Sequence, residues 1–159
     1  MIVYSETTLD LPDLAATHQL GRALAQFLAR GEVIALQGPL GSGKSELARA
    51  IIRVRAGSEI DVPSPTFTLI QPYPFENLPL WHIDLYRLGS ADEAYELGLG
   101  DIAAEGALLI EWPERLADDP LLDQALWIVL SDNAGHRRAR LHAPGPWQQR
   151  LAALAKRHA

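Results

Sequence analysis

Four residues whose types and spacing suit phosphate chemistry, Gly38, Gly43, Lys44 and Ser45, complete the pattern G-x-x-x-x-G-K-S. In this pattern the glycines let successive backbone N–H groups converge on phosphate oxygens. The lysine reaches the β- and γ-phosphates of a nucleoside triphosphate, and the hydroxyl that follows it ligates Mg²⁺. The spacing therefore predicts a phosphate-binding loop (P-loop) for a nucleoside triphosphate.

The segments on either side of the loop fit that chemistry. The apolar stretch 31–36 predicts a short strand before the loop, and helical periodicity over 45–52 predicts a helix after it. The N-terminus of such a helix adds partial positive charge where phosphates bind. The alternative, a glycine-rich turn with a stray lysine, is disfavoured by this context. The loop residues that we expect to contact the nucleotide are Gly38, Leu40, Gly41, Ser42, Gly43, Lys44 and Ser45.

A carboxylate that works with the loop is predicted at Glu111. It directly follows the continuous apolar run 107–110, which is typical of a central strand covered on both faces. The carboxyl ends of strands form the catalytic edge of such sheets, so Glu111 is predicted either to hold Mg²⁺ or to orient a water. In that position we expect it to be partly solvated. The alternative is an exposed strand-end carboxylate.

A second candidate carboxylate, Asp84, belongs to the predicted strand 80–85. Alternation along this strand directs His82, Asp84 and Tyr86 away from the core. The face predicted to point to the core carries Trp81, Ile83 and Leu85. Asp84 is thus predicted to position the attacking water or to hold the metal through a water. The alternative is a hairpin carboxylate paired with Arg87.

The whole chain, residues 1–159, predicts one α/β domain, since this length suffices for a full hydrophobic core. The first predicted helix follows Asp10-Leu11-Pro12, with the proline in its first turn, and runs toward Ala29. Further along, a strand within 63–74 is predicted to form a hairpin with 80–85, and a helix over 91–97 is capped by Ser90 and Glu93. The remaining predicted elements are strands over 126–130 and 138–142 and a closing helix over 147–156.

Composition points to a cytoplasmic protein. The chain has no cysteine, which suits a reducing compartment. Its first residues lack the charged and apolar regions of a signal peptide, and no apolar run approaches the roughly 20 residues that span a bilayer. We expect neither a membrane nor DNA as a partner.

The net charge of −6 is unevenly distributed, with a balance of −11 over residues 1–130 and +5 over residues 131–159. The basic end contains a cluster of Arg137, Arg138 and Arg140. Such a cluster is typical of solvated charge, of a nucleic-acid footprint, or of cations near nucleotide phosphates. We include Arg137 among the candidate nucleotide contacts, and direct contact with a nucleic acid stays open.

Two missing motifs narrow the choice of nucleotide. The chain has only two lysines, Lys44 and Lys156, so it contains no N-K-x-D motif for reading guanine. This argues against a conventional GTPase and leaves ATP as the expected nucleotide. An L-S-G-G-Q-like segment is also missing, so an ABC-type ATPase is not supported.

Several segments, in their order and spacing, resemble the TsaE (YjeE) family of small bacterial P-loop ATPases, which act in tRNA threonylcarbamoyladenosine synthesis. The segments are 38–45, 64–69 (S-P-T-F-T-L), 82–88 (H-I-D-L-Y-R-L), 96–99 (E-L-G-L) and 110–115 (I-E-W-P-E-R). The resemblance extends over most of residues 1–142, and its P-T-F-T, H-x-D-x-Y-R and E-W-P-E motifs are far more specific than the loop alone. Pro39 departs from the acidic residue usual in the family, and Ser45 replaces the commoner threonine but keeps its hydroxyl.

The resemblance implies a P-loop NTPase fold with a mixed central sheet between helices, ATP or ADP and Mg²⁺ as ligands, and weak ATPase activity. It also implies action with the TsaD and TsaB proteins, which place threonylcarbamate on the adenosine next to the anticodon.

The resemblance also assigns roles to individual residues. It implies that Lys44 contacts phosphates, that Ser45 and Glu111 hold magnesium, and that Asp84 serves hydrolysis. The catalytic set is therefore Lys44, Asp84 and Glu111. The resemblance further implies that Thr66 lies in a switch-like segment near the γ-phosphate and that Trp112 lies beside the nucleotide.

Two other function classes remain open at this point. A small-molecule kinase also combines a P-loop with a compact α/β body, and the 137–140 arginines resemble those of a kinase lid. The hairpin motif and the Glu111-Trp112 pair fit a kinase poorly. A nucleotide-binding adaptor, for which hydrolysis is incidental, is the other class.

Overall fold

The computed structural model describes residues 5–116 and 118–157. Its strands are β1 (Ser5–Leu11), β2 (Val33–Gln37), β3 (Ile70–Tyr73), β4 (Leu80–Asp84), β5 (Ala107–Glu111), β6 (Leu126–Asn133) and β7 (His136–Ala143). Its α-helices are α1 (Leu14–Phe27), α2 (Lys44–Ala56), α3 (Ala91–Glu96), α4 (Leu99–Ala103) and α5 (Trp147–Arg157). Short 3₁₀ helices cover Pro113–Leu116 and Pro120–Leu122.

The described strands form one seven-stranded mixed sheet in the order β1-β7-β6-β2-β5-β4-β3. Its centre is parallel, because β2 runs parallel to β5 and β6, and β4 runs parallel to β5. At one side of this centre β7 pairs antiparallel with β6, and β1 pairs antiparallel with β7. At the other side β3 pairs antiparallel with β4. The carboxyl ends of β2, β4 and β5 therefore meet at one edge, where a ligand of an open α/β sheet binds.

Two hydrophobic clusters cover the two faces of the sheet. Along β2, Ile34 and Leu36 belong to the cluster that includes residues of α1, α2 and α5, and the alternating Val33 and Ala35 belong to the cluster that includes residues of α3 and α4. The α/β fold with a mixed sheet between helices is thus confirmed.

Helices α1 and α2 pack closely. A Cβ built on Gly21 would lie 2.5 Å from the Cβ of Ala50, so only glycine permits this approach. Because α2 starts at the P-loop, this contact helps to fix the helix that presents the loop.

The N-terminal prediction was wrong in two respects. Strand β1 was not predicted, and Pro12 is not in the first turn of α1, which begins at Leu14. The Asp13 side chain accepts a hydrogen bond of 2.8 Å from the Ala16 N–H, which is the geometry of an N-cap. Pro12 therefore lies before the helix, and the helix also ends before Ala29.

The hairpin prediction is confirmed, with β3 limited to Ile70–Tyr73 and β4 to Leu80–Asp84. Ile83 and the following Leu85 are buried in one cluster, as the alternation predicts. The opposite face is not open, however, since His82 is 0% exposed and Asp84 only 4%. The helix α3 matches the prediction within one residue, whereas α4 was not predicted.

No helix in the described ranges 5–116 and 118–157 is long and apolar enough to span a membrane.

Candidate functional site

The loop between β2 and α2 has the backbone geometry that its glycines allow. Gly41 and Gly43 have φ angles of +78° and +105°, which residues with a side chain rarely adopt. Gly38 is needed for another reason, because a Cβ there would lie 2.6 Å from the backbone carbonyl oxygen of Leu130. The loop therefore packs directly against the backbone of β6 at Leu130.

Lys44 is the first residue of α2, and its ammonium group turns back over the loop. Its Nζ donates hydrogen bonds to the carbonyls of Gly38 (2.6 Å) and Pro39 (2.8 Å). The same nitrogen lies 4.4 Å from the ring centroid of Trp112, a cation–π contact. Burial lowers the pKa of Lys44, and the negative charge of Glu111 partly counters that shift.

The carboxylate of Glu111 lies directly beside the start of α2. Its Oε1 accepts a hydrogen bond of 2.8 Å from the hydroxyl of Ser45, and its Oε2 lies 2.6 Å from Nε2 of His82. The register explains this meeting, because Glu111 is opposite Leu36, the next-to-last residue of β2. The expectation of a partly solvated side chain was wrong: Glu111 is 2% exposed, since neighbouring strands and α2 enclose it.

Asp84 lies next to Glu111, opposite it in the β4–β5 ladder. Its carboxylate accepts hydrogen bonds from the Thr66 hydroxyl (3.2 Å) and from the Tyr86 N–H (2.9 Å). The guanidinium of Arg87, the alternative partner considered above, instead stacks 4.3 Å from the ring centroid of Phe67. The described contacts thus link Asp84 to the 64–69 segment.

Trp112 follows Glu111 and is held in an unusual backbone conformation with φ +61°. Its N–H donates a hydrogen bond of 3.3 Å to the carbonyl of Leu36, which ties it to the strand that leads into the loop. Its ring also contacts the ring of Tyr86, with centroids 4.9 Å apart. The indole is therefore fixed between the loop lysine and the end of β4.

The arginine cluster 137–140 divides between the two faces of β7. Arg137 reaches the P-loop, where its Nη2 donates a hydrogen bond of 3.2 Å to the Gly41 carbonyl. Arg138 and Arg140 point the other way and pair with carboxylates of β1, Asp10 (3.1 Å) and Glu6 (3.8 Å). The cluster as a whole is therefore not a lid over the nucleotide site.

These side chains border a single cleft of about 370 Å³. Its lining includes the sequence-predicted residues Leu40, Gly41, Gly43, Lys44, Ser45, Thr66, Asp84, Glu111, Trp112 and Arg137. Two predicted contacts do not line it: Gly38, which packs against the Leu130 carbonyl, and Ser42, which is 2% exposed.

The cleft also includes residues that the sequence prediction missed, Glu46 and Arg49 on α2. They pair with each other at 3.1 Å. Helical periodicity was the signal that could have found them, because Arg49 lies one turn after Ser45 and so faces the same side of α2.

The donor set fits magnesium. Within the described residues no group of three or more His, Cys, Asp or Glu side chains could hold a metal by itself. Mg²⁺ does not require one, because it keeps several waters and binds through one or two protein oxygens plus substrate phosphates. The hydroxyl of Ser45 and the carboxylate of Glu111 are two hard oxygen donors of that kind at the mouth of the P-loop.

The family model for threonylcarbamoyl adenosine biosynthesis protein TsaE matches residues 11–140. The chain belongs to the TsaE family. The TsaE proteins of Synechocystis and Rickettsia felis are 42% and 39% identical over 114 and 116 residues, which cover 69% and 71% of this chain and 72% and 68% of theirs. The TsaE of Nostoc is 38% identical over 146 residues, covering 89% of this chain and 88% of its own. These relatives are named as tRNA threonylcarbamoyladenosine biosynthesis proteins, which confirms the resemblance.

A solved structure supports the same TsaE-family assignment at the level of the fold. The crystal structure of Bacillus subtilus YdiB superposes with a TM-score of 0.73 at 25% identity. The superposition covers 100% of this chain and 99% of that one. The two chains therefore share their overall fold over nearly their whole length.

Proposed function

We propose that this chain binds ATP with Mg²⁺ in the described cleft and hydrolyses it slowly to ADP and phosphate. The observation that carries the proposal is the contact of 2.8 Å between the Ser45 hydroxyl and the Glu111 carboxylate, one residue from the P-loop lysine. A magnesium–nucleotide site needs these three groups in one place.

In this proposal the chain's own residues divide the work. The loop amides and the N-terminus of α2 bind the phosphates, and Lys44 leaves the carbonyls of Gly38 and Pro39 to contact the β- and γ-phosphates. Ser45 and Glu111 hold Mg²⁺, which neutralises charge on the phosphate oxygens.

Asp84 has the position of a group that orients the attacking water. It lines the cleft beside Glu111, and its hydrogen bonds to Thr66 and Tyr86 hold the carboxylate in one orientation. During hydrolysis the water oxygen bonds to the γ-phosphorus as the bond to the β–γ bridging oxygen breaks, and the water's protons end on phosphate or solvent. Trp112 and Arg137 complete the nucleotide contacts.

The proposed role of this activity is in tRNA threonylcarbamoyladenosine synthesis, together with TsaD and TsaB. The naming of the relatives supports the pathway. The low turnover that the family resemblance implies is consistent with a nucleotide cycle that acts on a partner complex.

Phosphate release tests the proposal directly. It is measured for the chain alone, for the chain with TsaD and TsaB, and for matched variants in each mixture. Asp84→Asn is expected to lose turnover, and Asp10→Asn, which alters a carboxylate paired with Arg138 outside the cleft, is expected to keep it.

The same assay separates the remaining functions. The proposal is supported if the chain releases free phosphate, if TsaD and TsaB change the rate of that release, and if Asp84→Asn abolishes it. Transfer of the γ-phosphate to a small acceptor would instead indicate a kinase. Tight ATP binding without hydrolysis, both alone and with the partners, would indicate an adaptor.

A further inference from the structure

His82 is a fully buried polar side chain that contacts the site without lining the cleft. It lies on β4, where it is 0% exposed, and its Nε2 is 2.6 Å from Oε2 of Glu111. An apolar side chain would fill this interior position without needing a hydrogen-bond partner. Packing alone therefore does not explain why a histidine, with its ring nitrogen against the Glu111 carboxylate, occupies this position.

The other ring nitrogen decides how the pair is bonded. Nδ1 of His82 is buried and has no hydrogen-bond partner among the described residues. A hydrogen on Nδ1 would thus be a buried donor without an acceptor, which is unfavourable. The arrangement that avoids this is the Nε2–H tautomer, in which Nε2 donates to Glu111 and Nδ1 carries only a lone pair.

This bond divides the two oxygens of Glu111 between two tasks. Oε2 accepts from His82, and Oε1 faces the Ser45 hydroxyl at 2.8 Å. The last torsion of a glutamate side chain is broad, so the carboxylate would otherwise rotate freely between orientations. With Oε2 held, Oε1 stays directed at the place where Ser45 presents its own oxygen.

We propose that His82 is a positioning residue that orients Glu111 for magnesium. It does not touch the metal or the nucleotide. This inference rests on the proposed function, because it takes Glu111 as a ligand of Mg²⁺. Hydrogen-bond partners of ligating side chains typically change metal affinity by about 10- to 100-fold when they are removed.

Three substitutions of His82 separate a positioning role from a packing role. His82→Gln keeps a donor, because the glutamine Nε2 is as many bonds from Cβ as the imidazole Nε2. His82→Asn keeps a polar amide of similar chemistry that stops one bond short of Glu111. His82→Leu removes the donor altogether. The matched control is His142→Leu, since His142 is also a strand histidine beside a glutamate, 3.7 Å from Glu6 and outside the cleft.

The readout is ADP affinity, measured by calorimetry in EDTA and over a magnesium titration, with thermal unfolding of each variant as the folding control. All folded variants are expected to bind ADP equally in EDTA. The magnesium concentration for half-maximal tightening should rise about 10- to 100-fold in His82→Leu and His82→Asn. It should stay within a few-fold of the parent in His82→Gln and His142→Leu.

Two results would overturn the inference. One is an unchanged magnesium dependence in folded His82→Leu. The other, which decides the case if His82→Leu does not fold, is the same magnesium dependence for His82→Asn and His82→Gln. Glu111→Gln separates this failure from that of the proposed function: if it also leaves the magnesium dependence unchanged, Glu111 is not a ligand and the proposed function fails at this residue.

Discussion

The Oγ of Ser45 lies 2.8 Å from Oε1 of Glu111, although the two residues are 66 positions apart in the chain. The parallel pairing of β2 with β5 produces this contact, because it brings the end of one strand beside the start of the helix that follows the other. The Ser45 hydroxyl oxygen and the Glu111 carboxylate therefore already lie side by side, where both can ligate one cation.

Ser45→Ala removes the hydroxyl and leaves the loop backbone intact. We expect ADP affinity in the presence of Mg²⁺ to fall about tenfold or more, since even the partners of metal ligands contribute that much. Affinity in EDTA should stay close to that of the parent. Ser90→Ala, which removes a helix-capping hydroxyl outside the cleft, is the control. Equal losses with and without magnesium would contradict a metal role for Ser45.

Glu111→Gln is expected to reduce turnover by about 10²-fold or more, because several kcal/mol of charge stabilisation depend on the metal site. Burial also predicts a loss of stability. The amide oxygen can still accept from His82, but that hydrogen bond loses its charged acceptor, and the N–H₂ turned toward Ser45 cannot accept from the hydroxyl; hydrogen bonds to charged groups contribute about 1.5–3 kcal/mol. Steady-state turnover and urea unfolding are the measurements.

The exposed Glu114 supplies the control for Glu111, as Glu114→Gln. This control is expected to unfold at the same urea concentration as the parent. A Glu111→Gln protein with normal turnover would show that the carboxylate does not serve hydrolysis.

Asp84→Asn keeps the size of the side chain and an oxygen for the Tyr86 N–H, but removes the charge. ATP binding should survive, because loop amides and Lys44 supply most phosphate contacts. Turnover should fall about 10²-fold, the scale of a lost acid–base group. Thr66→Val tests the hydrogen bond to Asp84 separately and should have a smaller effect on turnover. Equal losses of affinity and turnover in Asp84→Asn would indicate a binding role instead.

The lowered pKa of Lys44 predicts a pH dependence of stability in the nucleotide-free protein. Between this lowered pKa and the usual 10.5, the unfolded chain binds more protons at Lys44 than the folded one. The free energy of unfolding therefore gains from Lys44 as pH rises through that alkaline window. Lys44→Met should lack this gain in urea unfolding at a series of alkaline pH values.

The comparison of Lys44→Met with the parent isolates one group. Burial raises the pKa of Tyr73, which titrates in the same range in both proteins and so cancels from their difference. A stability difference between the two proteins that does not change across the window would contradict the prediction. Lys44→Met should also lose ATP hydrolysis while remaining folded.

Gly38→Ala is expected to destabilise the protein. Its new Cβ would lie 2.6 Å from the Leu130 carbonyl oxygen, so strand or loop must shift, at a cost of about 1–3 kcal/mol. Gly100→Ala, a helical position with open space around it, should leave stability unchanged or raise it. Urea unfolding of both variants measures the difference. Equal stabilities would mean that the loop adapts to the added methyl group.

The sequence predicted the site well where the signal is local. Strand, loop and helix around Lys44 follow from glycine spacing and periodicity, and alternation correctly assigned Ile83 and Asp84 to opposite faces of β4. Alternation states only which side chains share a face. It cannot state what covers that face, so the burial of His82 and Glu111 was not predicted.

Other parts could not be predicted because their signals are long-range. Strand β1 contains polar residues typical of a loop, and it is a strand because it pairs with β7, more than a hundred residues later. The basic cluster predicted Arg137 as a nucleotide contact, but its hydrogen bond to the Gly41 carbonyl has the same long-range origin. The start of α1 was predictable from local sequence, because Asp13 is a typical N-cap residue, but Pro12 was taken as part of the first turn instead.

The pairing of β1 with β7 weakens the electrostatic attraction between a polyanion and the basic residues near the end of this chain. At physiological salt, charge acts over about 8 Å. Within that distance Arg138 and Arg140 each meet a carboxylate of β1, at 3.1 Å and 3.8 Å. Acidic and basic residues from opposite ends of the sequence thus lie side by side across β1 and β7, so the charges of Arg138 and Arg140 are largely offset by Asp10 and Glu6 before a polyanion meets them.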